Sequence, residues 1–304
     1  MTAAIPFERE MTFEYGVLEQ VAPGVRRLVA DNPGPFTYTG TGVYVIGEGE
    51  VAVIDPGPDT FKHRAALLSA LDGERVSHVF VTHHHIDHSP MAVPLARAHR
   101  CLVFGYGGLT RTPAGGEVRL EAGDHIGFRP DVEISDGDVF NGPGWTIEAI
   151  HTPGHTSNHM TYAFREANAL FCGDHVMAWS TSVVSPPDGD MGAYLRSLHM
   201  IKARGFGVLW PTHGPPIRDP RTMLDAFIAH RRAREAQILD RLAAGDDRII
   251  DMVRVMYADV DRRLHPAACH SVLAHLIHLV EDGYATCDGG LGLSARYSLT
   301  ARAA

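Results

Sequence analysis

No stretch of this chain is long and apolar enough to span a bilayer, which takes ~20 residues. Residues Met1 to Glu10 hold no apolar run that could direct secretion, and they carry Glu8, Arg9 and Glu10. A cytoplasmic protein with no membrane partner is expected. Cysteine is scarce. Cys101, Cys172, Cys269 and Cys287 are scattered and form no C-x-x-C pair, so they are expected to be reduced rather than a disulfide framework. An excess of positive charge is also missing. The net charge of −9 opposes binding to a phosphate backbone, although RNA is not excluded by it.

Histidine, by contrast, is abundant. The chain has 19 among 304 residues, several of them within a few positions of one another, and such clustering favours metal binding. Length permits one large domain, or one large and one small.

Patterning orders the first half as strand, strand, helix, strand, loop. Gly42 to Gly47 and Val51 to Asp55 read as a hairpin, Phe61 to Leu71 as a helix, and Val76 to Val81 as a buried strand. Pro90 to Ala98 then reads as a helix and Cys101 to Phe104 as a strand. Gly105 to Gly116, rich in Gly, Thr and Pro, reads as a long loop. Further strands are expected at Trp145 to Ile150, Met160 to Phe164, Ala169 to Cys172 and Val208 to Trp210, with a helix at Gly189 to Arg204. Near residue 220 the pattern changes. Helices at Met223 to Leu242, Arg248 to Tyr257 and Pro266 to Glu281 precede a small β-wing at Tyr284 to Leu299. Residues 1–219 and 220–304 are therefore expected to be separate units.

The strongest signal is T-H-H-H-I-D-H at Thr82 to His88, directly after a buried strand. His83 and His85 are two apart, so in an extended segment their rings point the same way. Asp87 and His88 follow and can face a neighbouring point. Imidazole and carboxylate suit zinc, and the same donors accept iron or manganese.

This H-x-H-x-D-H motif resembles the metallo-β-lactamase superfamily. The rest of the family's motif set follows in order, in H-T-P-G-H-T (His151 to Thr156), F-C-G-D (Phe171 to Asp174) and P-T-H-G (Pro211 to Gly214). The resemblance covers about residues 25 to 216. It implies an α/β fold, a four-layer αβ/βα sandwich, with His83, His85 and His155 on one metal and Asp87, His88 and His213 on a second. Asp174 would join the two, and Asp87 would also orient the attacking hydroxide. Two divalent ions, zinc foremost, are the implied cofactors. The antibiotic-destroying class with a cysteine ligand carries Cys at the bridging position. Here Cys172 lies two residues earlier and reads as a core residue. Both ligand sets are complete, which argues against the mononuclear iron dioxygenases of this fold.

A looser likeness joins S-P-P-D-G-D-M-G-A-Y-L-R-S-L, within Asp174 to Leu198, and the winged-helix-like C-terminal tail to the β-lactamase-like protein 2 group. That group includes ribonucleases and thioester hydrolases of polyketide pathways. The implied reaction is acyl-bond hydrolysis by a metal-bridging hydroxide. The substrate would be a thioester, lactone or other ester, either a small molecule or carried on an acyl carrier. A single-strand endoribonuclease is the alternative, and a non-catalytic ligand- or DNA-binding protein a third reading. No Lys or Arg lies between Arg263 and Arg296, which opposes DNA reading by the last helix. That unit is expected instead to form a dimer contact or a wall of the substrate cleft.

Other histidines carry smaller expectations. His84 should point away from the metals, His151 should order a strand end, and His159 is a candidate for orienting a ligand or loop. His175 and His199 read as structural. Arg231, Arg232 and Arg234 read as a solvated helix face.

Overall fold

The computed structural model of the chain describes residues 4–107 and 123–302. The expected loop at Gly105 to Gly116 falls mostly outside them. A hairpin beyond those predicted, β1 (Leu18–Ala22) and β2 (Val25–Val29), opens the first sheet through a turn at Pro23-Gly24. The predicted hairpin follows as β3 (Gly42–Ile46) and β4 (Glu50–Ile54), with Val45 opposite Val53. Next come α1 (Phe61–Ala70), β5 (Arg75–Phe80), α2 (Ala92–His99), β6 (Leu102–Gly105) and the short β7 (Val132–Glu133). These seven strands lie in sequence order, and the last four are parallel, with α1 returning the chain from β4 to β5 and α2 from β5 to β6.

The second sheet comprises β8 (Val139–Gly142), β9 (Trp145–His151), β10 (Met160–Phe164), β11 (Ala169–Gly173) and, after α3 (Met191–Arg204), β12 (Val208–Pro211). Its order is β12-β11-β10-β9-β8, with β12 parallel to β11. The chain then continues through α4 (Pro220–Ala243), α5 (Ile249–Met256), α6 (His265–Glu281) and the wing, β13 (Ala285–Asp288) with β14 (Arg296–Leu299).

Side-chain alternation shows why the layers stack. In β3, Tyr44 and Ile46 face the space between the sheets, whereas Val43 and Val45 face the other way. In β11, Ala169 and Phe171 face inward, while Leu170 and Cys172 meet α3 and α4. Three cores result, helix on sheet, sheet on sheet and sheet on helix, and these define the four-layer αβ/βα sandwich. Each large apolar side chain so buried contributes ~1.5–3 kcal/mol, so a one-residue register slip in either strand would be prohibitive.

The C-terminal unit has its own core around Ile238, Leu276 and Tyr297. Helix α4 serves two cores. Its first half places Met223, Leu224 and Phe227 against the second sheet, and its second half places Ile238 and Leu242 in the C-terminal core. No helix among the described residues is long and apolar enough to cross a membrane.

Candidate metal centre

Four loops at one rim of the sandwich carry the site, each leaving the end of a strand. His83, His85, Asp87 and His88 follow β5, His155 lies between β9 and β10, Asp174 follows β11, and His213 follows β12. The structure brings all seven together, every one of them buried. Their donor atoms form three groups, each mutually within 4.8 Å: the triads His83, His85 and His155, and Asp87, His88 and His213, with His83, His88 and Asp174 linking the two.

Asp174 lies between the triads. Its Oδ1 is 3.4 Å from His213 Nε2, and its Oδ2 is 3.6 Å from His88 Nε2 and 4.0 Å from His155 Nε2. His83 Nε2 and His85 Nδ1 are 2.8 Å apart, and His213 Nε2 is 3.2 Å from Asp87 Oδ2. Donors on a tetrahedral zinc, with bonds of ~2.0–2.1 Å, stand about 3.4 Å from one another. Asp87 Oδ1, His88 Nε2, Asp174 Oδ1 and His213 Nε2 are buried without hydrogen-bond partners. Buried polar atoms are seldom left so, and a cluster of them facing one point fits a cation.

The outward nitrogens explain how the rings are aimed. His83 Nδ1 meets Thr82 Oγ1 at 3.0 Å, and His88 Nδ1 meets Asp55 Oδ2 at 2.8 Å. His155 Nδ1 donates to Val183 O at 2.7 Å, and His213 Nδ1 donates to Gly40 O at 3.1 Å. Each of these contacts turns Nε2 inward. His85 is reversed, with Nδ1 toward His83 and Nε2 3.6 Å from Asp124 Oδ1. Such outer contacts set tautomer and orientation in metal sites.

Electrostatics prepare the same donors. Burial would raise the Asp174 carboxyl, but His213, His88 and His155 hold it well below the usual carboxylate range. Burial opposes ionisation of Asp87 too, and His88 and His213 bring it down to about 2. Burial and the neighbouring rings of His88, His85 and His155 push His83 well below its ordinary 6.5, which favours a neutral ring. For His88, burial is outweighed by Asp87, Asp174 and Asp55, which favour its protonated form. The carboxylates that attract a proton there suit a cation.

Sequence reasoning missed Asp55, which ends the V-A-V-I-D strand. It is fully buried, with φ of +48°. Its carboxylate accepts from Thr82 N (2.8 Å), Thr82 Oγ1 (2.7 Å), Thr212 Oγ1 (2.9 Å) and His88 Nδ1, tying the ends of β4, β5 and β12 together. A left-handed aspartate is costly, and here four hydrogen bonds hold it. Asp124 was also missed. No local pattern marks it, and only the fold brings it to His84 and His85.

The remaining histidines sort by contact. His84 turns away from the cluster, as expected, toward Asn158 Oδ1 and Asp124 Oδ1, both at 2.9 Å. His159 lies 5.2 Å from the His83 ring, and its Nε2 accepts the Asp174 backbone N–H at 3.3 Å. Gly173, at φ +54°, is required there, because a Cβ would come within 2.6 Å of His159 Nε2. His151 stacks on Tyr106 at 3.9 Å and reaches Ser157 O at 3.0 Å. Cys172 points its thiol at Val176 O, away from the donors, and burial pushes the thiol up, as suits a core residue.

A slot of ≈ 60 Å³ opens onto the cluster, walled by Pro35, Phe36, Met177, Trp179 and Thr181. Trp179 stacks on Tyr38 with centroids 4.7 Å apart. Wider clefts lie elsewhere, one of ≈ 540 Å³ between α6, the wing and the Pro186-Pro187 turn.

Four strand-end loops thus bring the Asp174 carboxylate and two donor triads into one buried cluster that could hold divalent metal. The chain belongs to the metallo-β-lactamase superfamily, whose family model matches residues 38–213, and it is a hydrolase of that superfamily. Residues 249–291 match the β-lactamase-associated winged helix domain. An atrochrysone carboxyl ACP thioesterase of Paecilomyces divaricatus is 31% identical over 280 residues, covering 88% of this chain and 83% of that protein. A lactamase-like protein of Emericella nidulans is 28% identical over 327 residues, covering 99% of each. Among solved structures, a β-lactamase domain protein from Burkholderia ambifaria shares the fold with a TM-score of 0.76. Its identity is 22%, and the likeness covers 96% of both chains.

Proposed function

We propose that the chain hydrolyses acyl thioesters, with the acyl group presented on a carrier, at a centre of two divalent cations, zinc foremost. The convergence of seven buried donor residues about Asp174, with Asp87 Oδ1, His88 Nε2 and His213 Nε2 buried without hydrogen-bond partners on one side of it, carries this reading. His83, His85 and His155 would hold one ion, Asp87, His88 and His213 the other, and Asp174 both. Ions so held would supply a water acidic enough to attack at neutral pH and would polarise the acyl oxygen.

The chain's own residues supply the rest. Asp87 Oδ1 has no hydrogen-bond partner and is available to orient a water. Phe36, Met177 and Trp179 wall the slot and restrict bulk water. The slot's size admits a reacting carbonyl and its immediate neighbours, and leaves a large acyl group or carrier outside. Cys172, buried with its thiol pushed up, is unsuited to nucleophilic attack. Support for a thioester comes from the relative named as an ACP thioesterase.

The C-terminal helix α6 does not resemble a DNA reader. His270, Leu273, Ala274, Leu276 and Leu279 are buried, and the helix has no Lys or Arg to present.

The test is a panel of acyl thioesters, lactones and labelled single-stranded RNA on metal-quantified protein. Thioester turnover that disappears with chelator and returns with zinc is expected. RNA cleavage without thioester turnover would replace this reading with a ribonuclease.

A further inference from the structure

Arg231 belongs to a helix face expected to be solvated, yet it is only 4% exposed. Among the described residues no carboxylate forms an ion pair with it. A buried cation without a counter-charge costs several kcal/mol unless it is otherwise satisfied. Two contacts offset that cost in part, while the Arg231 Nε stays buried without a hydrogen-bond partner. Its Nη2 donates to the backbone carbonyl of Ser182 at 2.5 Å, and its guanidinium lies 5.1 Å from the Tyr194 ring.

Ser182 is fastened a second time. Its Oγ donates to His175 O at 2.8 Å, and the Tyr194 hydroxyl donates to the same carbonyl at 2.7 Å. The next carbonyl along the chain, Val183 O, accepts from His155 Nδ1. Thr181 and Val183 line the slot on either side. Two hydrogen bonds joined by the Ser182-Val183 chain link thus connect α4, the helix shared by both cores, to a residue of the first triad.

We propose that Arg231 is a positioning residue of the metal centre. From α4 it fixes residues 181–183, and the Val183 carbonyl then holds His155 with Nε2 toward the cluster. The helix that leads into the winged-helix unit is therefore a structural part of the site. The inference rests on the reading of the seven-residue cluster as a metal centre.

The test uses the full chain and competes zinc away with a chromophoric chelator. Arg231→Met is expected to lose about tenfold in zinc affinity, as removal of an outer contact of a ligand does. Arg234→Ala, which removes an exposed charge from the same helix, should bind zinc like the wild type. In a His155→Ala background, Arg231→Met should cause no further loss, because its effect passes through that ring. Unchanged affinity in Arg231→Met, or an equal tenfold loss in both backgrounds, overturns the proposal. If Arg231→Met does not fold, Arg231→Lys, which keeps a cation but loses the guanidinium that reaches the Ser182 carbonyl, is read by the same criteria, with a smaller loss expected. A wild-type chain that takes up no zinc overturns the metal-centre reading itself, a result distinct from the others.

Discussion

At the scale of single residues, the site depends on two carboxylates with different duties. Asp174 lies against both triads, its Oδ1 near His213 and its Oδ2 near His88 and His155, so under the proposed reading Asp174→Asn leaves a neutral amide where two cations would share a charge. Metal content by mass spectrometry should fall from two ions per chain to one or none. Hydrolysis should fall by at least about 100-fold, the upper range for disturbed metal shells. Full activity in that variant would remove the bridging role. Asp55 does not reach the cluster but accepts four hydrogen bonds around it. Asp55→Asn can accept on one oxygen only, which leaves Thr82, Thr212 and His88 competing. A loss of about 10–100-fold in metal affinity is expected, with about 1–3 kcal/mol of stability. Chelator competition and urea denaturation measure the two separately.

At the scale of elements, the joint between α4 and α6 carries a buried charge cluster. Glu235 accepts from His278 Nδ1 at 2.7 Å and from Arg232 Nη1 at 3.0 Å, with His275 Nδ1 3.6 Å away. Asp282 faces His278 from the end of α6 at 3.4 Å. The hydrogen bond to Glu235 raises His278 above its ordinary 6.5. Burial would raise Glu235, but His275 and His278 bring it well below its ordinary 4.5. The signs then follow. The His278 contribution is complete below pH 6.5 and is lost as pH rises through its raised folded value. The Glu235 contribution is present above pH 4.5 and is lost as pH falls toward its depressed folded value. Glu235→Gln should therefore cost most stability between roughly pH 4.5 and 6.5, about 1–3 kcal/mol, and less at pH 9. Denaturant midpoints of both proteins across pH measure this, and a difference independent of pH would refute it.

At the scale of the whole molecule, the two sheets meet at the rim where the seven residues converge. Clustered acids and imidazoles at close range repel or leave orphaned atoms unless a cation joins them. Stripping metal should abolish hydrolysis and lower the melting temperature by several degrees, and zinc should restore both. Because protons compete with metal for the histidines, stripping should be easier at pH 5 than at pH 8. Calorimetry of stripped and reloaded protein checks the first claim, and dialysis at the two pH values the second.

Much of this was legible in the chain. The residues from Thr82 to His88 offered four candidate donors through local spacing, and the resemblance of three later motifs to the superfamily added His155, Asp174 and His213. Short β-rich runs bounded by turn signals marked β3, β4 and β11, and apolar spacing marked the helix at α1. The hairpin of β1 and β2 escaped because only Pro23-Gly24 announces it. What the chain alone determined is therefore the chemistry on offer and the elements that carry it, since both depend on residue type and near-neighbour spacing. Only the tertiary structure decided which way each ring points. Asp55, Asp124, Val183 O and Arg231 lie tens of residues from the histidines they hold, or act through a backbone carbonyl, and neither kind of contact leaves a pattern in sequence.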